Sequence, residues 1–225
     1  MLTMIMHELH LRNIENKDWA TLVFLIALVL IVLAKTTFES RFSDFVRMLV
    51  SNKYNKIYRE SNQLLNGFNV LLFAVNLISL SFFIQMILVH GYHYGSKTDW
   101  MLFVRIFTLL GVFILSKFLI EKIIATTFEI EEFAEQINLQ KVNYRTYVGL
   151  LLLPVTGVLY YCNYVSMFAI FAIIVILLTI NVLTYLFSLK IYQNLSPDKL
   201  FYFILYLCAL EIAPYYFIYY LITKN

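Results

Sequence analysis

Residues 64–89 read LLNGFNVLLFAVNLISLSFFIQMILV. The run carries no charge, and at about 1.5 Å per residue it is long enough to cross a hydrocarbon core of roughly 30 Å. Its polar residues are not scattered. Asn62 just ahead of it and Asn66, Asn69 and Asn76 within it fall within about 40° of one line at 100° per residue, and Ser79 extends that line. An apolar helix with one polar edge turns that edge to protein, because in lipid an amide finds partners only on a neighbouring helix. The edge reads first as helix packing and second as the lining of a polar substrate or ion path.

Similar runs recur along nearly the whole chain. In 225 residues, 61% are hydrophobic and 14% charged, and the mean hydropathy is +0.77, well outside the range of soluble domains. Six apolar spans are predicted, at 19–34, 64–89, 100–120, 147–161, 165–187 and 200–222. The fourth is short and is expected to be broken by Pro154, between Gly149 and Gly157. The expected fold is all-α, a polytopic membrane protein of one domain (1–225) with six transmembrane helices and amphipathic cytoplasmic segments at 35–63 and 121–146. Residues 1–18 form an outer N-terminal segment, with no cleavage pattern of a removable signal peptide.

Charge sets the expected orientation. Twelve Lys and Arg fall in the loops after spans one, three and five, and five fall on the opposite side, Arg105 being assigned there by depth. The positive-inside rule places those three loops in the cytoplasm and both termini outside. Trp19 and Trp100, each following an Asp, read as aromatic anchors at the outer surface. Cys162 and Cys208 imply no disulfide.

Two cytoplasmic segments have helical patterning. Phe38, Phe42, Phe45, Leu49 and Val50 recur at helical spacing among Arg41, Arg47, Lys53, Lys56 and Arg59, as suits an amphipathic helix at an anionic leaflet. Glu129, Glu131, Glu132 and Glu135 mark an acidic counterpart, where Phe128, Phe133 and Ile137 can continue the helix of span three. These opposite charges form a solvated face or a platform for another subunit.

Glu211 is the acidic residue deepest in an apolar span, midway along 200–222. An ionised acid at a helix centre costs roughly 2.5 to 3.5 kcal/mol, so the group is protonated, paired or facing a polar cavity. Depth counting at about 1.5 Å per residue puts Asn76 and Glu211 near ~18 Å from the cytoplasmic ends and Asn181 near ~12 Å. Arg105 enters roughly 7.5 Å from the outer side, where its stem either snorkels outward or turns in toward Glu211. Pro214 frees a carbonyl beside Glu211, and Tyr215 lies four residues on along the same face. Glu211, Arg105, Asn76, Asn181 and Tyr215 therefore form a candidate intramembrane polar cluster. It holds helices or a partner together, or it handles protons or ions.

No catalytic residues, metal site or cofactor are expected. His90 and His93 lack a third ligand, the four glutamates lack a Glu-x-x-His pattern, and there is no phosphate loop or hydrolase elbow. An inverted-repeat transporter is disfavoured by the unequal loops of the two halves.

The stretch Phe38-Glu-Ser-Arg-Phe-Ser-Asp-Phe, the Asn-rich opening of span two and Glu-Ile-Ala-Pro at 211–214 give the chain a resemblance. It resembles an uncharacterised family of inner-membrane proteins from Bacteroidota, classed only as a domain of unknown function. The resemblance implies a two-membrane envelope, with the outer side being periplasm, and supplies no reaction. The expected role is a non-enzymatic subunit or assembly factor of a larger inner-membrane complex, in protein export or envelope biogenesis. Its expected partners are membrane lipids and other integral membrane proteins, with no nucleic acid evident. The alternatives are a small proton- or ion-coupled transporter using Glu211 and, more weakly, an enzyme acting on lipid or polyprenyl substrates.

Overall fold

The computed structural model describes residues 17–46, 67–92, 94–127, 131–162 and 166–192, with backbone alone for 131–137, 139–140 and 183–192. Among the described residues there are six helices: α1 (Asp18–Thr37), α2 (Glu39–Val46), α3 (Gly67–Gly91), α4 (Trp100–Thr127), α5 (Glu131–Tyr161) and α6 (Met167–Tyr192). Three of them, α1, α3 and α4, are long and apolar enough to cross a membrane, and α6 is apolar over Met167–Val182. The sixth expected span, 200–222, lies outside the described residues.

α3 is the axis of the bundle. In its most apolar window 61% of residues are buried, against 17% in α1 and 6% in α4, so α3 is enclosed by the other helices and they turn apolar faces outward. It packs most extensively on α5, then on α1 and α4, and lightly on α6. Level for level, Leu72 shares a cluster with Tyr147, Asn76 meets Gly149, and Phe82 meets Tyr160. α3 and α5 therefore run in the same direction, with α4 returning between them in sequence and α1 antiparallel to both.

Two aromatic layers hold these helices. At the end nearer Asp99, Phe82 is fully buried and its ring meets Trp19 and Phe24 of α1, Phe103 of α4 and Tyr160 of α5, with centroids 5.8, 4.4, 4.5 and 5.5 Å away. Such pairs add about 0.5–1.5 kcal/mol each beyond area burial. At the other end Phe45 and Phe68 pack edge to face at 5.8 Å and Phe45 meets Tyr147 at 5.7 Å, with Ala34 and Leu72 in the same cluster.

α2 follows α1 after a break at Phe38, whose φ of −129° and ψ of 51° leave the helical region. Phe38, Phe42 and Phe45 then turn onto α3 and α5. Over these residues the apolar face of the expected amphipathic helix is taken up by the bundle, and Glu39, Ser40 and Ser43 face outward. The remainder of that segment lies outside the described residues.

α5 is a single helix that passes through Pro154 unbroken. Pro154 is exposed, so its missing hydrogen bond falls on the side away from α3. The Glu-rich stretch from Glu131 thus belongs to the helix of the fourth apolar span, not to a continuation of the third as its apolar spacing suggested.

Replacing Phe82 with Ala removes the ring shared by four helices. We expect a loss of about 3–5 kcal/mol, read as a lower unfolding midpoint in detergent, with Leu109→Ala on the exposed face of α4 much milder.

Candidate functional site

The buried polar groups of α3 sit on two sides of the helix and do different work. Asn76 (2% exposed) and Ser79 (0%) lie about one turn apart, with Asn76 on the side facing α5. Opposite them Gly149 leaves the space that Asn76 fills: a Cβ built there overlaps the Asn76 amide, 2.6 Å from Cγ and 2.9 Å from Cβ. The Gly149 Cα–H that stands in place of a Cβ faces Asn76 Oδ1, a weak contact of the kind found where helices approach closely. Among the described residues Asn76 Oδ1 and Ser79 Oγ have no hydrogen-bond partner. Thr146 and Thr156 are buried on α5, the Thr156 hydroxyl donating to the Leu153 carbonyl at 2.9 Å. The seam is therefore close-packed and built from small and amide side chains.

The second set clamps the connection between α3 and α4. Tyr92 N and Tyr94 N both donate to the Leu88 carbonyl, and Gly95 takes a φ of 76°, in the left-handed region open to glycine. Asp99 caps α4, its Oδ1 accepting from Leu102 N at 3.2 Å. Three helices then hold the loop's carbonyls. Trp19 Nε1 donates to Thr98 O at 3.0 Å, and Tyr160 Oη donates to Lys97 O at 3.0 Å. Gln85 Nε2 lies 3.4, 3.2 and 3.1 Å from the carbonyls of Ser96, Lys97 and Asp99. Lys97 Nζ in turn donates to the Cys162 carbonyl at 3.2 Å, joining this loop to the end of α5.

The sequence-predicted site residues separate. Of the polar edge, Asn76 and Ser79 are buried and Asn69 is half-buried, while Asn62 and Asn66 lie outside the described residues. Arg105 is exposed. Asn181 is exposed as well, its Nδ2 donating to the Leu177 carbonyl of its own helix at 2.8 Å. Arg105 and Asn181 are thus not gathered round Asn76, and Glu211 and Tyr215 lie outside the described residues. Arg41 is half-buried on α2. Arg47, Lys53, Lys56, Arg59 and Glu129 lie outside the described residues, and Glu131, Glu132 and Glu135 are placed by backbone only. His90 Nδ1 pairs with the Met86 carbonyl at 3.1 Å, and His93 is outside.

Trp19, half-buried, is a staple inside the bundle, whereas Trp100 is 48% exposed as an interfacial anchor should be. Sequence reading missed Gln85 and Glu121 and the roles of Gly149 and Tyr160; Glu121 is only 7% exposed, just beyond the expected end of span three. For Gln85 a signal existed, since it is the last polar residue of span two, but it stands about 180° from Asn76 and outside the Asn edge.

A family model described as Domain of unknown function (DUF4271) matches residues 20–222. No curated protein and no solved structure matches the chain.

Gly149→Ala forces a methyl into the Asn76 amide and should cost about 1–3 kcal/mol, with Asn76→Ala restoring part of the loss in the double variant; thermal melts of the four proteins test this cycle. Gln85→Leu removes one of two donors from each of these carbonyls, which keep Asp99 N, Tyr160 Oη and Phe103 N, so we expect a loss of about 0.5–1.5 kcal/mol and earlier protease cleavage within 92–99.

Proposed function

We propose that this chain, which belongs to the DUF4271 family of unknown function, is a non-enzymatic, multi-pass subunit or assembly factor of a larger inner-membrane complex. Its connecting loops after the first, third and fifth spans face the cytoplasm, and both termini face the periplasm. The observation that carries the reading is the close packing of its polar seam. Asn76 fills the space over Gly149, so the side chains that a path would need are used in holding α3 to α5. At the Asp99 end Trp19 Nε1, Gln85 Nε2 and Tyr160 Oη are likewise bonded to loop backbone, while Gln85 Oε1 has no hydrogen-bond partner among the described residues. What the chain offers outward is apolar helix surface: α4 exposes Leu109, Val112, Leu115 and Leu119, and α1 exposes Leu22, Leu25, Val29 and Val32. Such faces suit lipid and neighbouring membrane helices, and the basic 41–59 and acidic 129–135 segments add a charged platform on the cytoplasmic side. Protein export or envelope biogenesis is the setting this role fits, since it asks for membrane scaffolding without chemistry.

A second reading is a small proton- or ion-coupled carrier using Glu211. The unpartnered acceptors Asn76 Oδ1 and Ser79 Oγ favour it, because buried oxygens without donors are what a bound ion or proton-bearing group would satisfy.

The deciding experiment is native purification in mild detergent. A scaffold subunit co-purifies stoichiometrically with other membrane proteins and keeps them bound in Glu211→Gln. Isolation only as a free monomer or homodimer counts against the subunit role, and loss of proton-dependent flux in Glu211→Gln reconstituted in vesicles supports the carrier.

A further inference from the structure

The charges on the helices themselves are sorted by level and by side. Trp19 of α1, Phe103 of α4 and Tyr160 of α5 all meet Phe82, which gives three helices a common zero of depth. Counted from that layer at about 1.5 Å per residue, Lys35 on α1, Lys117 and Lys122 on α4, and Lys141 and Arg145 on α5 all fall roughly 21–29 Å away, at the end opposite Asp99. With Trp and Tyr at one interface and a hydrocarbon core of roughly 30 Å, that level meets the headgroups of the other leaflet. Lys35 and Lys122 are exposed and Arg145 is half-buried, whereas Glu121, the only acid at that level of these three helices among the described residues, is 7% exposed. The bases turn outward and the acid inward. α2 adds Arg41 together with Glu39 and Asp44, so the excess positive charge comes from α1, α4 and α5. Glu131, Glu132 and Glu135 stand deeper, roughly 37–44 Å from the layer. The Asp99 end has no such sorting: Lys17, Lys97 and Arg105 share it with Asp18 and Asp99, and Lys97 is bonded to the Cys162 carbonyl.

We propose that this ring of bases binds anionic phospholipid, with the phosphates of one leaflet seated against Lys35, Lys122 and Arg145 and the acyl chains lying on the apolar residues beside them. Lys117 and Lys141 share the level and have contacts of their own, so the site does not depend on them. The surface is complementary to such a lipid in both its parts. Lysine and arginine stems at the edge of hydrocarbon reach out to anionic headgroups. Val32 and Leu33 stand within a turn of Lys35, and Leu119, Ile120 and Ile123 within a turn of Lys122, each at least 45% exposed. An acidic soluble protein is the poorer occupant, because bare aliphatic side chains flank the bases at a depth where acyl chains fit. Charge in loops acts on orientation during insertion, whereas charge fixed at one level of the folded helices can hold lipid afterwards. The site rests on the membrane-spanning part of the proposed function and not on the subunit role.

The test uses the full chain, delipidated in mild detergent, with Tm followed as dioleoylphosphatidylglycerol, dioleoylphosphatidylcholine or inorganic phosphate is added. Phosphatidylglycerol should raise Tm by roughly 5–10 °C at saturation, phosphatidylcholine with the same chains by much less, and phosphate not at all. The triple variant Lys35→Gln, Lys122→Gln, Arg145→Gln should lose most of that rise, and Lys17→Gln with Arg105→Gln, at the other end, should keep it. An equal rise with phosphatidylcholine, a rise with phosphate alone, a full response in the triple variant or an equal loss in the other-end variant overturns the site. Should the triple variant not fold, Lys35→Gln and Lys122→Gln at exposed positions decide, and a full response in both overturns it. Failure of the membrane-spanning reading shows separately, as release of the chain from its membrane by alkaline carbonate; retention there without a preference for phosphatidylglycerol overturns this site alone.

Discussion

The ring of Phe82 is where four helices meet. It lies on a fully buried position of α3 and touches aromatic rings from α1, α4 and α5, so the orientation of each helix at that level is fixed by contact with one side chain. Rings suit this task because their faces and edges carry opposite partial charge, and each pair has only a few favourable angles. The hydrogen bonds of the 96–99 loop sit directly on this layer. Trp19 and Tyr160 serve both, packing their rings in the cluster and reaching out with N–H and O–H to loop carbonyls. If the ring layer loosened, those donors would lose their aim, and the connection between α3 and α4 would lose its anchor with them.

The helical stretches were legible from composition because hydrocarbon admits few alternatives to a helix. Four of the apolar runs overlap α1, α3, α4 and α6, with α4 running on to Thr127 and α6 to Tyr192, past the expected ends, and Asn76 and Ser79 of the Asn edge are buried. What the chain hid is instructive. That α3 would be the enclosed helix could not be read from its hydrophobicity, since a lipid-facing and a protein-facing surface are equally apolar. Its enclosure shows instead in small and polar residues, Asn76, Ser79, Ser81 and Gln85, and in Gly149 opposite. Pro154 suggested a break, yet α5 continues, because an exposed proline removes its hydrogen bond where no neighbour depends on it. The amphipathic pattern after α1 was real, but periodicity says only that one face is apolar, not whether it meets lipid or protein. Phe42 and Phe45 meet protein.

The candidate site divides along the same line. Depth counting placed Asn76, Asn181 and Arg105 within reach of one another along the bundle axis, and depth is half of a position. The other half, rotation about each helix, is set by packing: it turns Asn76 inward and leaves Asn181 and Arg105 outward. An inward amide can lock two backbones at close range, whereas an outward guanidinium near a helix end can reach along its stem to water or headgroups. The polar residues of this chain thus serve two separate purposes.

The parallel pairing of α3 with α5 also bears on how the protein is made. The chain emerges from its N-terminus, so α3 exists before the helix that covers its polar seam has been synthesised. Over that interval, among the described helices, α1, α2 and α4 are present, and none of them supplies a glycine against the Asn76 amide. Neighbouring hairpins can assemble as they appear, but this core can close only after α5 arrives. Its assembly is therefore late and non-local, and the half-built protein carries an uncovered polar edge that an insertion or chaperone machinery would have to tolerate.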